Sequence, residues 1–335
     1  MSVMVPENYK NTLNIKETQK AIKLVRDIFQ SNLTGSLNLQ RISAPLFVRP
    51  ETGLNDNLNG VERPVSFDVP AIGGATCEIV HSLAKWKRMS LGRFGFLPGE
   101  GLYTDMNAIR RDEEFDNLHS MYVDQWDWCR VIEKKDRNMT TLQDTVKKIY
   151  EAIKDTQKKV CTAYPDIENN LPEEITFVTT QELLDMYPDL SAKERENKLL
   201  REKKAVFLMQ IGGKLSNGEK HDGRAPDYDD WSLNGDIIVY YPVLDIAFEL
   251  SSMGIRVDED TLVSQCKEAG AEDRLKLEFH KAILEKKLPY TIGGGIGQSR
   301  LCMFMLGKAH IGEVQSSVWD DETYRICSEN GINLI

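Results

Sequence analysis

The residues with the clearest chemical potential are arginines and carboxylates at the ends of short extended runs. Residues 102–128 read LYTDMNAIRRDEEFDNLHSMYVDQWDW, which predicts two strands joined by a charged loop. The first strand would deliver Arg110 at its end, and the returning strand would present Asp124, Gln125 and Asp127. A guanidinium so placed can bind a phosphate, because its planar fork matches two oxygens. The spacing equally fits a surface hairpin whose charges are solvated.

Two acidic residues, Asp236 and Glu249, stand in extended runs rich in isoleucine, valine and phenylalanine. A carboxylate in such a run needs a partner, because burying an unpaired charge is costly. The two could hold Mg²⁺ against a triphosphate, or each could form a buried salt bridge with a lysine or arginine. Ser251, Ser252 and Arg256 follow Glu249 and could extend the same polar surface.

A glycine-rich segment, TIGGGIGQSRLCMFML, occupies residues 291–306. The dinucleotide-binding fingerprint fails here, because its last glycine position holds Gln298. We expect residues 290–292 to be extended, a glycine-rich turn to follow, and a helix to run from about residue 297 to 306. The glycines would let the backbone pass close under a planar ligand, with Arg300 in the first helical turn. The alternative is a tight strand-to-helix connection with a solvent-exposed arginine.

A basic segment, HSLAKWKR, ends at Arg88 and predicts a short helix. Lys87 could lie near a carboxylate or phosphate, but the segment by itself favours a basic, exposed helix face. The five histidines show no HExxH or other paired spacing, and the sequence contains no GxSxG nucleophile motif. We therefore expect neither a histidine-bound metal nor a serine hydrolase.

Composition narrows the class of protein further. The 335 residues carry 42 Lys and Arg against 52 Asp and Glu, and the net charge of -10 argues against bulk electrostatic binding of nucleic acid. Six cysteines without a CxxC motif predict buried free thiols in a reducing compartment. No apolar run approaches the ~18 residues of a membrane helix, and the N-terminus lacks an apolar signal region. We expect a cytoplasmic protein.

The elements that must position these residues predict an α+β fold, with a mostly antiparallel sheet flanked by helices. Strands joined by tight or charged loops, such as residues 236–241 and 246–250, outnumber strand–helix–strand units. Long amphipathic helices are expected over residues 15–30 and around residue 150. No repeat or low-complexity linker interrupts the chain, so we expect one domain over residues 1–335.

The order of these segments resembles the catalytic domain of class II aminoacyl-tRNA synthetases. Pro45, in ISAPLFV, stands where that superfamily has the proline of its dimer-interface motif, while Arg110 and Arg300 fit its second and third motifs. The sequence is also similar, nearly end to end, to the ammonia-dependent aspartate–ammonia ligase family (asparagine synthetase A). The motifs that carry this similarity are HSLAKWKR, GEGLYTDMNAIR, YVDQWDW, RAPDYDDWS, NGDI, FELSSMGIRVD and TIGGGIGQSR.

The resemblance implies a reaction and its participants. ATP and L-aspartate would form β-aspartyl-AMP and pyrophosphate, and ammonia would then displace AMP to give L-asparagine. Arg110, Lys87 and Gln125 would be catalytic, and Asp236 and Glu249 would hold Mg²⁺ on the triphosphate. The residues implied to contact ATP or AMP are Arg110, Asp236, Glu249, Ser252, Arg256 and Arg300. Those implied to contact aspartate or asparagine are Asp56, Ser82, Lys87, Gln125, Asp127, Asp229, Ser251 and Gly294.

The chain departs from the family pattern in one place. Only Ser232 and Leu233 separate Trp231 from Asn234, and we interpret this as a trimmed surface loop that leaves the chemistry intact. The motif around Pro45 and the family imply a homodimer, and no membrane partner is expected.

The main alternative is a class II synthetase that charges tRNA with aspartate, asparagine or lysine. Residues 1–36 are too short for an anticodon-binding module, and the acidic balance offers no platform for tRNA, so we expect no tRNA partner. A catalytically inactive paralogue is disfavoured because Arg110, Glu249 and Arg300 are all present. A glutamine-dependent amidotransferase is disfavoured because Ser2 stands where a nucleophilic cysteine would be needed.

Overall fold

Two β-sheets are formed by the part of the chain that this computed structural model describes, which is residues 3–7, 9–58, 60–168 and 171–335. The strands, in chain order, are β1 (Leu39–Arg41), β2 (Phe47–Val48), β3 (Ser66–Val69), β4 (Ala75–Ile79), β5 (Gly101–Ile109), β6 (Tyr122–Val131), β7 (Thr176–Thr179), β8 (Ala205–Met209), β9 (Asp229–Tyr241), β10 (Ile246–Arg256) and β11 (Thr291–Gly297). Ser2, on which the expectation against glutamine rests, lies outside the described residues.

The larger sheet has the strand order β1-β5-β6-β11-β10-β9-β8-β7, and the smaller one has the order β2-β4-β3. In the larger sheet the edge pairs β1–β5 and β7–β8 are parallel, and the inner pairs are antiparallel. Helices flank this sheet, so the predicted α+β fold is confirmed. The helices are α1 (Ile15–Leu37), α2 (Ala84–Arg93), α3 (Met139–Ala163), α4 (Thr180–Met186), α5 (Ala192–Lys203), α6 (Glu259–Glu268), α7 (Glu278–Leu284), α8 (Gln298–Met305) and α9 (Asp321–Glu329).

In helix α1, local sequence signals determine where the helix begins and ends, and packing in the core stabilises it. Asn14 begins the helix with a capping box, because its side chain accepts from the Glu17 amide while the Glu17 carboxylate accepts from the Asn14 amide. The buried apolar stripe of α1 packs against α3 and the sheet in the main core. Asn38, in the left-handed conformation, ends the helix. The helix predicted over residues 15–30 is therefore confirmed and extends to Leu37.

Alternation along β6 decides which of its side chains meet the helices. Trp126 and Trp128 are buried in the main core, and the Trp126 ring lies 4.8 Å from the ring of Phe29 in α1, measured between centroids. Gln125 and Asp127, one position out of phase, line a cavity on the other face of the sheet. Over residues 125–128, one face of β6 thus serves the core and the other serves the cavity.

The glycine-rich segment is a strand and not the predicted turn. β11 lies in the middle of the sheet, between β6 and β10, and α8 begins directly after it. A Cβ on Gly294 would lie 2.5 Å from Met253 Cβ, and one on Gly293 would lie 2.8 Å from the carbonyl oxygen of Trp128. The glycines are needed because neighbouring strands occupy the space of a side chain. The prediction was wrong because glycine runs signal turns and close backbone packing alike.

β9 and β10 are also longer than the apolar runs that predicted them. They pair from Tyr241 and Ile246 to Asp229 and Arg256, with a register shift near Glu249. Polar side chains that face the cavity interrupt the apolar pattern, which is why the runs appeared short. Residues 232 and 233 lie inside β9, so the strand continues without a loop between Trp231 and Asn234, and our interpretation that a surface loop is trimmed here stays a prediction.

The smaller sheet leaves apolar side chains exposed. Phe47 is 47% exposed and Phe67 is 39% exposed, and their rings meet edge to face with centroids 5.4 Å apart. Leu46 and Ile72, close by in the chain, are exposed as well. Isolated apolar residues are common on protein surfaces, but four around one small sheet form a candidate contact surface.

The six cysteines are all free, and five of them are buried, as predicted. In the described ranges, each helix is either too short or too polar to cross a bilayer.

Candidate active site

A cavity of about 400 Å³ opens on the face of the large sheet opposite α1. Its volume falls in the range of small-molecule sites, roughly 300–1,000 Å³. Strands β6, β9, β10 and β11 supply its floor, and the segments before β6 and β9 supply its walls. Of the fourteen residues predicted for the site, twelve line this cavity: Asp56, Ser82, Arg110, Gln125, Asp127, Asp229, Asp236, Glu249, Ser252, Arg256, Gly294 and Arg300. Lys87 and Ser251 lie outside the lining.

Arg110 stands at the end of β5, where the sequence placed it. Its backbone amide donates to Met121 O at 2.8 Å, which closes the charged loop against the start of β6. The guanidinium Nη1 is 3.9 Å from Glu113 Oε2, and the buried Nε has no hydrogen-bond partner among the residues described. A guanidinium with spare donors facing a cavity is suited to a phosphate or carboxylate ligand.

Arg300 projects from the first turn of α8 and is held by two groups. Its Nη1 lies 3.6 Å from Glu249 Oε2, and its Nη2 lies 2.9 Å from His119 Nε2. His119 Nδ1 in turn lies 2.9 Å from the carboxylate of Asp116. Burial by itself raises the pKa of Glu249, but Arg300, Arg224 and Arg110 outweigh it and lower that pKa. Glu249 is therefore held ionised beside three cations.

Asp236 has a different partner, Arg224. The Arg224 Nη2 donates to Asp236 Oδ1 at 2.6 Å, and its Nη1 contacts Ser252 Oγ. Burial raises the pKa of Asp236 to about 7; Arg224 opposes this shift and nearby Glu249 adds to it. Asp236 and Glu249 thus interact electrostatically. Carboxylate oxygens are the donors that Mg²⁺ takes from proteins when phosphates complete its coordination shell.

No group of three or more metal-binding side chains occurs among the described residues, so such an ion would depend on ligand oxygens besides the two carboxylates. The salt-bridge interpretation of this acidic pair is confirmed, and the binding of Mg²⁺ by the pair stays a prediction. Asp236 and Glu249 each form a salt bridge to an arginine, and both also line the cavity.

Arg256 lies with Asp229 rather than with Arg300. Its Nη1 forms a buried ion pair with Asp229 Oδ1, and its guanidinium lies 5.5 Å from the centroid of the Tyr228 ring. Seven residues of β10 separate Arg256 from Glu249, which corresponds to roughly 20 Å along an extended strand. The structure thus places Arg256 in the same cavity but away from Arg300, and its contact with ATP stays a prediction.

Lys87 lies beneath the floor of the cavity and is fully buried. Its Nζ forms an ion pair with Asp127 and also donates to the carbonyls of Trp128 at 2.9 Å and Gly294 at 3.1 Å. Burial lowers the pKa of Lys87, while Asp127 opposes that shift. Lys87 thus supports Asp127 from beneath the cavity, and its direct contact with substrate stays a prediction.

The basic face expected on α2 is not exposed. Lys85, Lys87 and Arg88 are all buried, since each finds carboxylate or carbonyl partners inside the protein. The charges of these three residues predicted solvent exposure, because the sequence does not show their buried partners. Ser251 is buried as well and does not line the cavity, and its Oγ has no hydrogen-bond partner in the described ranges.

The charged residues therefore form two groups. We call Arg110, Arg224 and Arg300, with Asp236 and Glu249, the arginine end of the cavity. We call Asp56, Asp127 and Asp229, with Arg256 and the supporting Lys87, the acidic end. Burial raises the pKa of Tyr228 well above its usual value, and the charges of Asp56 and Asp229 add to this shift.

Several lining residues escaped the sequence reasoning. Arg224 and Tyr228 belong to the motif RAPDYDDWS and line the cavity. The sequence did not show this, because it did not show that β9 starts at Asp229. His119 stands in the loop after Arg110, and the histidines were judged only by metal spacing. Asp124 was named, but its bonds to Ser299 and its place in the lining depend on how α8 docks.

Known proteins similar in sequence to this chain are aspartate–ammonia ligases. The chain is 65% identical over 334 residues to an aspartate–ammonia ligase of Ruminiclostridium cellulolyticum, covering 100% of this chain and 99% of the relative. It is 63% identical to an aspartate–ammonia ligase of Clostridium tetani, with 99% and 98% covered.

Solved structures of class II synthetases share the fold at low identity. Asparaginyl-tRNA synthetase from Pyrococcus horikoshii, complexed with asparaginyl-adenylate, superposes with a TM-score of 0.63 at 14% identity, covering 89% of this chain and 68% of that one. Aspartyl-tRNA synthetase from Entamoeba histolytica gives 0.61 at 17% identity, covering 91% and 58%. The family model for aspartate–ammonia ligase matches residues 16–331. The chain belongs to the aspartate–ammonia ligase family.

Proposed function

We propose that this protein makes L-asparagine from L-aspartate and ammonia, and that it converts ATP to AMP and pyrophosphate through β-aspartyl-AMP. The observation that carries the proposal is the division of one cavity into an arginine end and an acidic end. An adenylating enzyme must hold a polyanion and a zwitterionic amino acid next to each other. The family membership and the adenylate-binding relatives of the same fold agree with this division.

The arginine end is suited to the nucleotide. Arg110 presents spare donors at the cavity, and we assign it to the α-phosphate and the attacking carboxylate. Arg300 would contact the adenine face and the phosphates after leaving His119. Ser252 adds a hydroxyl beside Asp236. When Mg²⁺ is bound on the triphosphate, Asp236 and Glu249 would hold it and it would neutralise phosphate charge.

The acidic end is suited to the ammonium group of aspartate and to an incoming ammonium ion. Asp56, Asp127 and Asp229 line it, and two of them already have cationic support from Lys87 and Arg256. Gln125 offers an amide for a substrate carboxylate, with Ser82 and the backbone at Gly294 as neutral neighbours. We therefore assign Arg256 to the support of Asp229 rather than to contact with the nucleotide. We assign Lys87 and Ser251 to the support of the cavity floor.

The order of events follows from this placement. The β-carboxylate oxygen of aspartate attacks the α-phosphorus, pyrophosphate leaves, and Arg110 balances charge on both anions. An ammonium ion at the acidic end gives a proton to a carboxylate oxygen there and becomes ammonia. Ammonia then attacks the acyl carbon, the bond between that carbon and the phosphate-linked oxygen breaks, AMP leaves with this former carboxylate oxygen, and the proton lost from the attacking nitrogen passes to solvent. The residues contribute placement and charge, which is how phosphoryl transfer is usually catalysed.

The experiment supplies purified protein with ATP, Mg²⁺ and L-aspartate, and either ¹⁵N-ammonium or glutamine labelled in its amide nitrogen. Mass spectrometry of asparagine should show ¹⁵N from ammonium and little from glutamine. Equal incorporation from glutamine would contradict the choice of ammonia as nitrogen donor. No asparagine from either source would contradict the proposed function as a whole.

A class II synthetase acting on tRNA is the second candidate, because solved structures of that class share the fold. The same mixture with added bacterial or archaeal tRNA distinguishes the two. We expect free asparagine and no aminoacylated tRNA, and acid-stable charging of tRNA with aspartate or asparagine would favour the synthetase.

We also propose a homodimer, a cytoplasmic location and one catalytic domain over residues 1–335. The exposed apolar surface around Phe47 and Phe67 directly follows Pro45 in the chain and supports the dimer. Free, buried cysteines are typical of proteins in reducing compartments and support the location. The central sheet takes strands from Leu39 to Gly297, which supports a single unit.

A further inference from the structure

A buried carboxylate behind the acidic end is not explained by the reaction itself. Asp227 is completely buried and does not line the cavity. Its Oδ2 accepts from Lys85 Nζ at 2.7 Å and lies 2.8 Å from His280 Nε2. Its Oδ1 is 3.3 Å from Arg274 Nη1. We call Asp227, Lys85, Arg274 and His280 the Asp227 cluster.

The Asp227 cluster joins elements that carry the acidic end. Asp227 directly precedes Tyr228 and Asp229, and belongs to an irregular strap, residues 222–228, that leads into β9. Lys85 lies in α2, next to Ala84, which lines the cavity. The strap lies outside the strand pairing of the sheet, and besides the backbone bond from Val257 N to Tyr228 O, at 2.9 Å, side chains contribute to fixing its position.

The same cluster also reaches the turn before Asp56. His280 Cε1 lies 3.2 Å from where a Cβ on Gly53 would be, and Gly53 has a φ of +68° that favours glycine. A second anchor, Gln265 in α6, donates to the carbonyls of Pro226 and Asp229, both at 2.9 Å. The strap is therefore fixed on both sides of Asp227.

We propose that Asp227 is a positioning residue for the amino-acid half of the reaction, because its ion pairs fix Asp229 and the turn before Asp56 relative to each other. This inference rests on the proposed function, in which the acidic end binds aspartate. Arg224 belongs to the same strap but is held separately by Asp236 and Ser252. Loss of the Asp227 charge should thus affect aspartate much more than ATP.

The primary experiment measures steady-state kinetics and L-aspartate titration calorimetry for the wild type and Asp227→Asn, which keeps shape but removes the charge. We expect the KM and Kd for aspartate to rise about tenfold or more, while the KM for ATP changes less than about twofold. Arg195→Met is the matched control. Arg195 is buried in α5, which lines no part of the cavity, and it holds the carbonyls of Tyr187 and Pro188.

The control separates positioning from stability. Arg195→Met should lower the melting temperature without changing either KM. If Asp227→Asn behaves in the same way, Asp227 is structural only and the proposal is overturned. Wild-type protein that makes no asparagine would contradict the proposed function, whereas normal wild-type turnover with an unchanged Asp227→Asn KM contradicts only this inference.

A milder pair of variants decides the matter if Asp227→Asn does not fold. His280→Leu removes one donor to Asp227, and His280→Gln restores an N–H near the position of Nε2. We expect the aspartate KM to rise roughly threefold to tenfold in His280→Leu and to return to within about twofold of wild type in His280→Gln. Equal aspartate KM values in the two variants would overturn the proposal.

Discussion

The amide of Gln125 lies directly against Gly295, so that a Cβ on that glycine would collide with Gln125 Oε1. The two residues belong to neighbouring strands, β6 and β11, and both line the cavity. A glycine here gives the Gln125 side chain the space in which it faces the substrate. The neighbouring Gly294 must be glycine for another reason. A Cβ on it would lie 2.5 Å from Met253 Cβ and 2.7 Å from Ser252 O, which fill the space of a side chain.

These two glycines predict a contrast between binding and stability. Gly295→Ala should displace Gln125 and raise the aspartate KM about tenfold, with a small loss of stability because the displaced group is the end of a flexible side chain. Gly294→Ala should lower the free energy of unfolding by about 1–3 kcal/mol, because strand β10 must shift. Kinetics and urea unfolding of both variants check this, and the reverse pattern would contradict our reading of the two positions.

Arg110 should be indispensable for the first chemical step. Arg110→Ala removes a cation from the α-phosphate and the attacking carboxylate, and we expect pyrophosphate release to fall by about 10²-fold or more. The fold should persist, because the ion pair of the Arg110 guanidinium with Glu113 is long, at 3.9 Å, and its interaction with Glu249 lies within the cavity. Arg111→Ala, at the adjacent and more exposed arginine outside the cavity lining, is the control. Equal pyrophosphate release from the two variants would remove Arg110 from the mechanism.

His310 predicts a loss of stability in acid. Burial lowers the pKa of His310 to about 4, so the folded protein keeps it neutral while the unfolded chain protonates near its ordinary value of 6.5. The unfolded state therefore binds more protons between these values, and stability falls as the pH drops through that window. From pH 7 to pH 5 this one group should cost about 2 kcal/mol of unfolding free energy.

His310→Asn isolates this effect, because His310 Nδ1 accepts from the Gly312 amide and an asparagine oxygen can replace it there. Denaturant unfolding at pH 7 and pH 5 should show a smaller acid-induced loss in the variant, by about 2 kcal/mol. An identical loss in both proteins would show that His310 is not the responsible group.

The exposed apolar surface predicts how the subunits associate. Phe47→Glu should convert a dimer to a monomer, because an ionised carboxylate cannot be buried in an apolar interface without a partner. Phe94→Glu changes a similarly exposed phenylalanine, 51% against 47%, at the end of α2 and serves as the control. Sedimentation equilibrium distinguishes the outcomes, and a Phe47→Glu protein that remains dimeric would place the interface elsewhere.

Much of the fold followed from the sequence because its elements report their own environment. The hydrophobic periodicity of α1 and the alternation along β6 each record which face is buried. β11 could not be recognised in the same way, since glycine carries no side chain to show a period. Its role became visible only when Met253 and Trp128 were found in the space around it.

The site was predictable where motifs name residues, and less so where burial and pairing decide their roles. Lys87 was identified, but its position beneath the floor depends on Asp127 and on two carbonyls distant in sequence. Arg224 was missed for the same reason, because its partner Asp236 lies on a strand whose register the sequence does not show. Long-range pairing was the missing information in both cases.

Activation of aspartate as an acyl-adenylate can be tested by following where the oxygen of its β-carboxylate goes. The reaction should be run with L-aspartate carrying ¹⁸O in its β-carboxylate, together with ATP, Mg²⁺ and ammonium. Because the attacking oxygen leaves with the nucleotide, mass spectrometry should find one ¹⁸O in each AMP and none in pyrophosphate. Unlabelled AMP, or ADP with ¹⁸O in inorganic phosphate, would contradict the adenylate and indicate activation at the γ-phosphate.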